Sequence, residues 1–442
     1  MNRRLRTVLP LLLVAAFVSA CTIVVDTPAT RSTSAFKTAE AAFHILIERH
    51  VDKPGSPQLL NAALDSAVAQ LKKDGVGDPV LNRPEFTGST ESDFAKFSTA
   101  LDGLLQQYPA ETAVTLERAA TDGMAKSMNE CHTYYLDPER AKGFNQPPVE
   151  YSGIGAQLSA NGPNDVPEIT VVFPNSPAEK AGVKAGDKIK TVNGAEMKGL
   201  TAEEVANKIK GPDGTTVELV LVRAGVEMPF SIVRGKILPP RVIDQIDDGN
   251  IGFISVSALN GDVANQVSTA VKRQNAAGVV GRILDLRNDP GGDLSAAVDI
   301  ASIFMKSSTL VYQVGRDGQR QALRTSDRWY VPETKPLVVL VNKNSASGSE
   351  IIAAGVRANG TGLVMGTQTA GCVGIGQPRE MPDGGLLLVT LARMQDAKTG
   401  EELNGNGRGV VPDKKVEQDP TTPGDAQRVA ADTYLKATGR TG

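Results

Sequence analysis

A chain of 442 residues has room for roughly two to four domains and an ample core, so with three cysteines it is not a small scaffold held by cystines. The near balance of 47 basic and 50 acidic residues, a formal charge of −3, gives no footprint for nucleic acid. Without a phosphate loop, and with three histidines lacking metal-ligand spacing, the chain gives no reason to expect a cofactor, a nucleotide or a catalytic metal.

Residues 1–20 carry Arg3, Arg4 and Arg6, then an apolar run from Val8 to Val18, then small residues ending at Ala20. This is the layout of a bacterial export signal, with an apolar run too short for an ordinary membrane span. Val18-Ser19-Ala20-Cys21 resembles the lipobox of bacterial lipoproteins, whose cysteine is acylated and becomes the mature N-terminus. Cleavage with Cys21 incidental is the alternative. The expected location is extracytoplasmic, on a bacterial membrane through lipidated Cys21. Removing residues 1–20 lowers the basic count from 47 to 44 against 50 acidic residues, a formal charge near −6. Residues 22–34 read as a flexible tether.

From 35 to 148 the spacing is helical, with apolar residues three and four apart through Phe36 to Ile47, Leu59 to Leu71, Phe97 to Leu105 and Leu116 to Met128. Residues 149–236 form a separate unit with strands at Glu168 to Phe173 and Val217 to Arg223 and a helix at Ala202 to Lys210. In it Gly153-Ile154-Gly155-Ala156, the run Ser176 to Ile189 and Val192-Asn193-Gly194 resemble a bacterial PDZ domain. That resemblance implies a sheet edge to which a peptide adds, with Tyr151 to Ala156 capturing its terminal carboxylate. Turn glycines in a small β-barrel are the plainer alternative. Residues 241–423 return to α/β alternation, with buried strands at Ile251 to Val256, Gly278 to Leu286 and Leu337 to Val341; an amphipathic helix lies within 424–442.

Asn344-Ser345-Ala346-Ser347-Gly348-Ser349-Glu350 follows a strand and opens a helix. Such a turn exposes a serine hydroxyl beside free helix N–H groups, which suits Ser347 as a nucleophile; ordinary N-capping is the alternative. Taken with Ile251-Gly252-Phe253-Ile254, Asp285-Leu286-Arg287-Asn288-Asp289-Pro290-Gly291-Gly292, Gly409-Val410-Val411-Pro412-Asp413 and the PDZ-like unit, this segment makes residues 35–438 resemble the carboxyl-terminal processing, or tail-specific, serine proteases. The resemblance implies a multidomain α/β protein: a helical N-terminal region, an inserted PDZ-like β-barrel and a protease core of the tail-specific, ClpP/crotonase-like type. Gly291 or Gly292, with Gly348, would supply the oxyanion hole; each such donor is worth roughly 3–4 kcal/mol. Asp285 and Arg287 read as structural.

The serine needs a base. Lysine-type members of the family carry it in Thr-x-Gly-Lys-Gly followed by a glutamine, whereas this chain reads Thr369-Ala370-Gly371-Cys372-Val373-Gly374, with Gln377 displaced by one residue. A thiol is a poor substitute for that lysine. The tricorn-like and retinoid-binding relatives use a Ser–His dyad, and His132 in His132-Thr133-Tyr134-Tyr135 matches their His-Thr segment, while His44 and His50 sit in the first helical stretch as solvated or packed side chains. A histidine packing at a helix end is the other reading of His132. The third member of that dyad's system is a glutamate, replaced here by Asn406, with Glu401 and Glu402 as neighbouring substitutes. Asn406 reads equally well as a turn residue before glycine.

Placing the segments in the family's fold brings Cys131 and Cys372 close enough for a disulfide pinning His132 to the serine site, against two unreacted thiols. The expected activity is a lipid-anchored serine endopeptidase acting on unfolded or C-terminally exposed polypeptides. The alternatives are an inactive peptide-binding adaptor and, by analogy alone, a carrier of small apolar ligands.

Overall fold

In the computed structural model, residues 35–439 are described apart from 111, 145–149, 160–165, 248, 333–334, 406 and 419–424. The export signal, Cys21 and the tether therefore lie outside the described residues. Among those described, no helix is long and apolar enough to cross a membrane.

The helical periodicity at the N-terminus becomes four helices, Lys37–Arg49, Ser56–Lys73, Thr90–Gln107 and Ala113–Lys126. Their apolar stripes meet in a core that includes Phe43, Leu64, Phe97 and Met124. Gly123 permits the closest approach, because a Cβ there would stand 2.5 Å from the Ala62 carbonyl oxygen of the facing helix. The same cluster takes in Tyr135, Leu387 and Val389, so this region is packed onto a sheet of the protease core.

That core has two sheets. One runs in the order Val242–Ile246, Ile251–Val256, Gly281–Asp285, Leu337–Val341, Leu363–Gly366, Lys414–Lys415, parallel after its first, antiparallel pair. Gly281–Asp285 and Leu337–Val341 are buried at every position, as parallel strands covered on both faces must be. Helices Val263–Ala276, Leu294–Phe304 and Gly348–Asn359 cover one face, and Ala426–Thr438 the other through Ala431 and Leu435. The second sheet is antiparallel and joins Tyr134–Leu136, Gly374–Glu380, Leu386–Asp396, Thr309–Gly315 and Arg320–Arg324. It carries the segments before and after the catalytic candidates.

The inserted unit has a sheet ordered Ala156–Ser159, Glu168–Val172, Lys188–Val192, Thr216–Arg223, Val226–Val233 around Ile169, Ile189, Val205, Val217 and Leu221. Thr201 and Glu204 form a capping box that starts its helix, Ala202–Ile209.

Candidate active site

Ser347 caps the helix Gly348–Asn359 with φ 55° and ψ −116°. A side-chain-bearing residue held there costs about 1–3 kcal/mol, so its surroundings must fix it. They do so from both sides. Ser345 Oγ donates to the Leu286 carbonyl (2.8 Å) and accepts the Asn342 N–H (2.9 Å). The Ser347 N–H reaches the Cys372 carbonyl at 2.7 Å and Glu350 Oε2 at 3.0 Å. Glu350 is fully buried and also accepts the N–H groups of Gly371 and Cys372, each at 2.9 Å, and the Thr369 hydroxyl. Its carboxylate thereby ties the serine turn to the loop carrying Cys372.

Gly291 lies against this turn at φ 89°; a Cβ there would stand 2.7 Å from Ser347 Cβ and 2.8 Å from Gly348 N. Its N–H, however, donates to Asp289 Oδ1 at 2.8 Å. Of the expected pair, Gly291 therefore has its N–H engaged and serves to let the backbone come close, which leaves the Gly292 N–H as the candidate donor. The Gly292 and Gly348 N–H groups meet no acceptor among the described residues, and Gly348, at the first helical position, has none within its helix. Burial pushes the Asp289 carboxyl up to about 7, against the lowering effect of the Gly291 N–H.

His132 is half-buried just before the strand Tyr134–Leu136, which pairs with Leu386–Asp396. Its backbone N–H donates to Glu130 Oε2 (2.7 Å), and its Nδ1 stands 3.3 Å from Cys131 Sγ and 3.6 Å from Cys372 Sγ. Those two sulfurs are bonded, with Cα atoms 5.7 Å apart. Burial lowers the imidazole pKa and the Glu130 charge opposes it, so the net direction is toward the neutral ring a general base requires.

Other candidates are placed elsewhere. Gln377 lies in the strand Gly374–Glu380, where its Oε1 accepts from Arg379 at 2.9 Å. Glu402 is paired with Arg393 (2.7 Å) and Arg408 (2.8 Å), and Glu401 is exposed; among the described residues neither is hydrogen-bonded to His132. Asn406 lies outside the described residues. Arg287 bridges Asp285 and Asp425, each at 2.7 Å. His44 packs edge-on against Phe43.

Sequence reasoning passed over four residues here. Glu130, two positions before the candidate base, also accepts the Thr390 hydroxyl (2.7 Å), with buried His50 Nε2 at 3.7 Å. Glu350 carried a legible signal, three residues after a serine at a helix start. Asp289 had only its place in the glycine motif. Asn404, whose Oδ1 accepts the Val373 N–H at 3.3 Å and lies 3.8 Å from Cys131 Sγ, carried none.

In the inserted unit, Tyr151–Gly153 is a strand paired with Gly235–Ile237 and Ala156 opens the next strand, so of the segment expected to capture a carboxylate only Ile154 and Gly155 lie between strands. The Ile154 and Gly155 carbonyls accept from Ala178 (2.8 Å) and Phe173 (3.0 Å). Across each trans peptide the following N–H, of Gly155 and Ala156, points the other way. Ala156–Ser159 is the sheet's edge strand and packs beside the helix Ala202–Ile209, so its outer edge pairs with no strand among the described residues.

Residues 250–416 match peptidase family S41 and residues 168–223 match a PDZ domain. Over 325 residues the chain is 33% identical to a carboxyl-terminal-processing protease of Synechocystis sp., covering 71% of this chain and 75% of that protein. Over 333 residues it is 33% identical to the carboxy-terminal processing protease CtpA of Bacillus subtilis strain 168, covering 74% and 70%. A crystal structure from Bacteroides fragilis NCTC 9343 that carries the S41 protease name shares the fold, with a TM-score of 0.53 at 16% identity over 91% of this chain and 97% of that one.

Proposed function

The chain belongs to the carboxyl-terminal processing proteases of peptidase family S41, and from that membership we propose that it is a serine endopeptidase with Ser347 as nucleophile and His132 as base. Ser347 Oγ attacks the scissile carbonyl while the imidazole takes its proton, then returns it to the leaving amine; water repeats the cycle on the acyl-enzyme. The Gly292 and Gly348 N–H groups receive the oxyanion. One observation carries the reading: the Ser347 N–H is bonded at 2.7 Å to the carbonyl of Cys372, whose sulfur is bonded to the residue preceding His132. With its sulfur in that bond, the residue at the family's lysine position is no base. The PDZ groove holds a substrate's C-terminal strand, and a lipidated Cys21 places the enzyme on the outer side of a bacterial membrane.

Cleavage of an unfolded protein with an apolar C-terminus tests this. Ser347→Ala and His132→Ala are each expected to lose at least about a thousandfold in kcat/KM, and a serine-reactive phosphonate should label the wild type but not Ser347→Ala. The bonded Cys372 also favours a second reading, a peptide-binding adaptor. Retained binding of C-terminal peptides with neither cleavage nor labelling in the wild type would establish that one instead.

A further inference from the structure

We propose that Cys131, His132 and Cys372, once their disulfide is reduced, form a binding site for a thiophilic divalent metal ion such as Zn²⁺. Their ligand atoms all lie within 4.8 Å of one another, although they come from two segments far apart in the chain. A tetrahedral zinc with Zn–S of about 2.3 Å and Zn–N of about 2.0–2.1 Å sets an S···N edge of about 3.6 Å. The Nδ1 distances to the two sulfurs, 3.3 and 3.6 Å, are already near that edge. Only the sulfurs must part, to an S···S edge of about 3.8 Å.

The segments do not depend on the disulfide alone for their positions. Cys372 is held by its N–H to Glu350 (2.9 Å) and its carbonyl to Ser347 (2.7 Å). His132 is held by Glu130 (2.7 Å) and by the pairing of Tyr134 with Leu388. Cys131 is exposed, which admits both reductant and metal. A dithiol supplies the two electrons and two protons that convert the disulfide to two thiols, itself becoming a disulfide. The ion then displaces both thiol protons, and water fills the fourth position.

One consequence rests on His132 being the base. An imidazole that lends Nδ1 to a metal carries its remaining proton on Nε2 and has no lone pair for the Ser347 proton, so the loaded enzyme is silent.

The test is titration of the full chain with Co²⁺, then Zn²⁺, before and after treatment with a dithiol and its removal without air. The reduced wild type should bind one equivalent of Co²⁺ with thiolate-to-cobalt charge-transfer absorption that Zn²⁺ abolishes; the oxidised protein should show none. Cys131→Ser and Cys372→Ser should each weaken binding at least tenfold and diminish that absorption, and His132→Ala should weaken binding while retaining it. Equal binding by the oxidised and reduced protein, binding unaltered by either cysteine substitution, or loss of native near-ultraviolet circular dichroism on reduction would each overturn the site. Cobalt absorption does not depend on catalysis. Undiminished cleavage by the metal-loaded enzyme would remove His132 as base and leave the metal site standing.

Discussion

Glu130 lies near the candidate base and Asp289 near the candidate nucleophile, and their environments push the two carboxyls in opposite directions. Burial alone would raise Glu130, but His50, the Thr133 and Thr390 hydroxyls and the His132 N–H outweigh it and bring the carboxyl down to about 2. An acid depressed from 4.5 stabilises the fold fully above that pH and ceases to do so as pH falls through about 2. The shift corresponds to on the order of 3 kcal/mol. At Asp289 burial outweighs the lowering effects of the Gly291 N–H, at 2.8 Å, and of the neighbouring Ser349 hydroxyl, and its Oδ2 has no well-aligned partner among the described residues. Raised from 3.8 to about 7, it costs nothing below the lower value and progressively more as pH climbs to the upper one, on the order of 4 kcal/mol. Glu130→Gln should therefore be less stable than wild type at pH 7, with the gap closing toward pH 3. Asp289→Asn should be the more stable protein at pH 8 and lose that advantage toward pH 4. Denaturant unfolding of the three proteins across this range measures both, and pH-independent differences would contradict the assigned environments.

The parallel strands were legible in the sequence because strands covered on both faces are continuous apolar runs; Leu337–Val341 was read from that alone, while Gly278 to Leu286 was read long and is trimmed to Gly281–Asp285. Thr309–Gly315 and Arg320–Arg324 went unread, since polar residues at half-exposed positions leave little apolar alternation to find. The serine turn was legible as a strand-to-helix junction; which neighbouring glycine N–H is left without an acceptor was not, because the capture of the Gly291 N–H by Asp289 is a matter of loop geometry. The junction also predicts how two glycines should differ. Gly291→Ala forces a Cβ to 2.7 Å from both the Ala346 carbonyl oxygen and Ser347 Cβ. Gly278, at φ 73°, has open space around the same added atom. Gly278→Ala should cost about 1 kcal/mol in stability and leave the rate unchanged, whereas Gly291→Ala should lower kcat/KM at least about a hundredfold. The rate of phosphonate labelling at Ser347, compared in the two variants, checks this; equal rates would mean that the close approach of the Gly291 backbone has no part in shaping the site.

At the scale of the molecule, the Cys131–Cys372 bond closes a loop across a sequence separation of 241 residues that contains the whole PDZ unit and most of the protease core. It links the end of the helical region to the loop beyond Ser347, and so couples two parts that otherwise meet through the packing of Tyr135 against Leu387 and Val389 and through hydrogen bonds such as Thr133 Oγ1 to Thr390 Oγ1 at 3.1 Å. Chain entropy for a loop of that length favours the cross-linked fold by on the order of 5 kcal/mol, although 2–4 kcal/mol is the usual yield. Reduction should therefore lower the free energy of unfolding by about 2–5 kcal/mol, move the denaturant midpoint down and steepen its slope, because the denatured chain without the cross-link is less compact and exposes more surface. A chain with both cysteines replaced by serine should reproduce the reduced value and ignore reductant. If reduction leaves the midpoint where it was, the Glu130 and Glu350 hydrogen bonds and the sheet pairing hold the two segments without help. In that case the bond acts on the chemistry of His132 and Cys372 rather than on the stability of the fold.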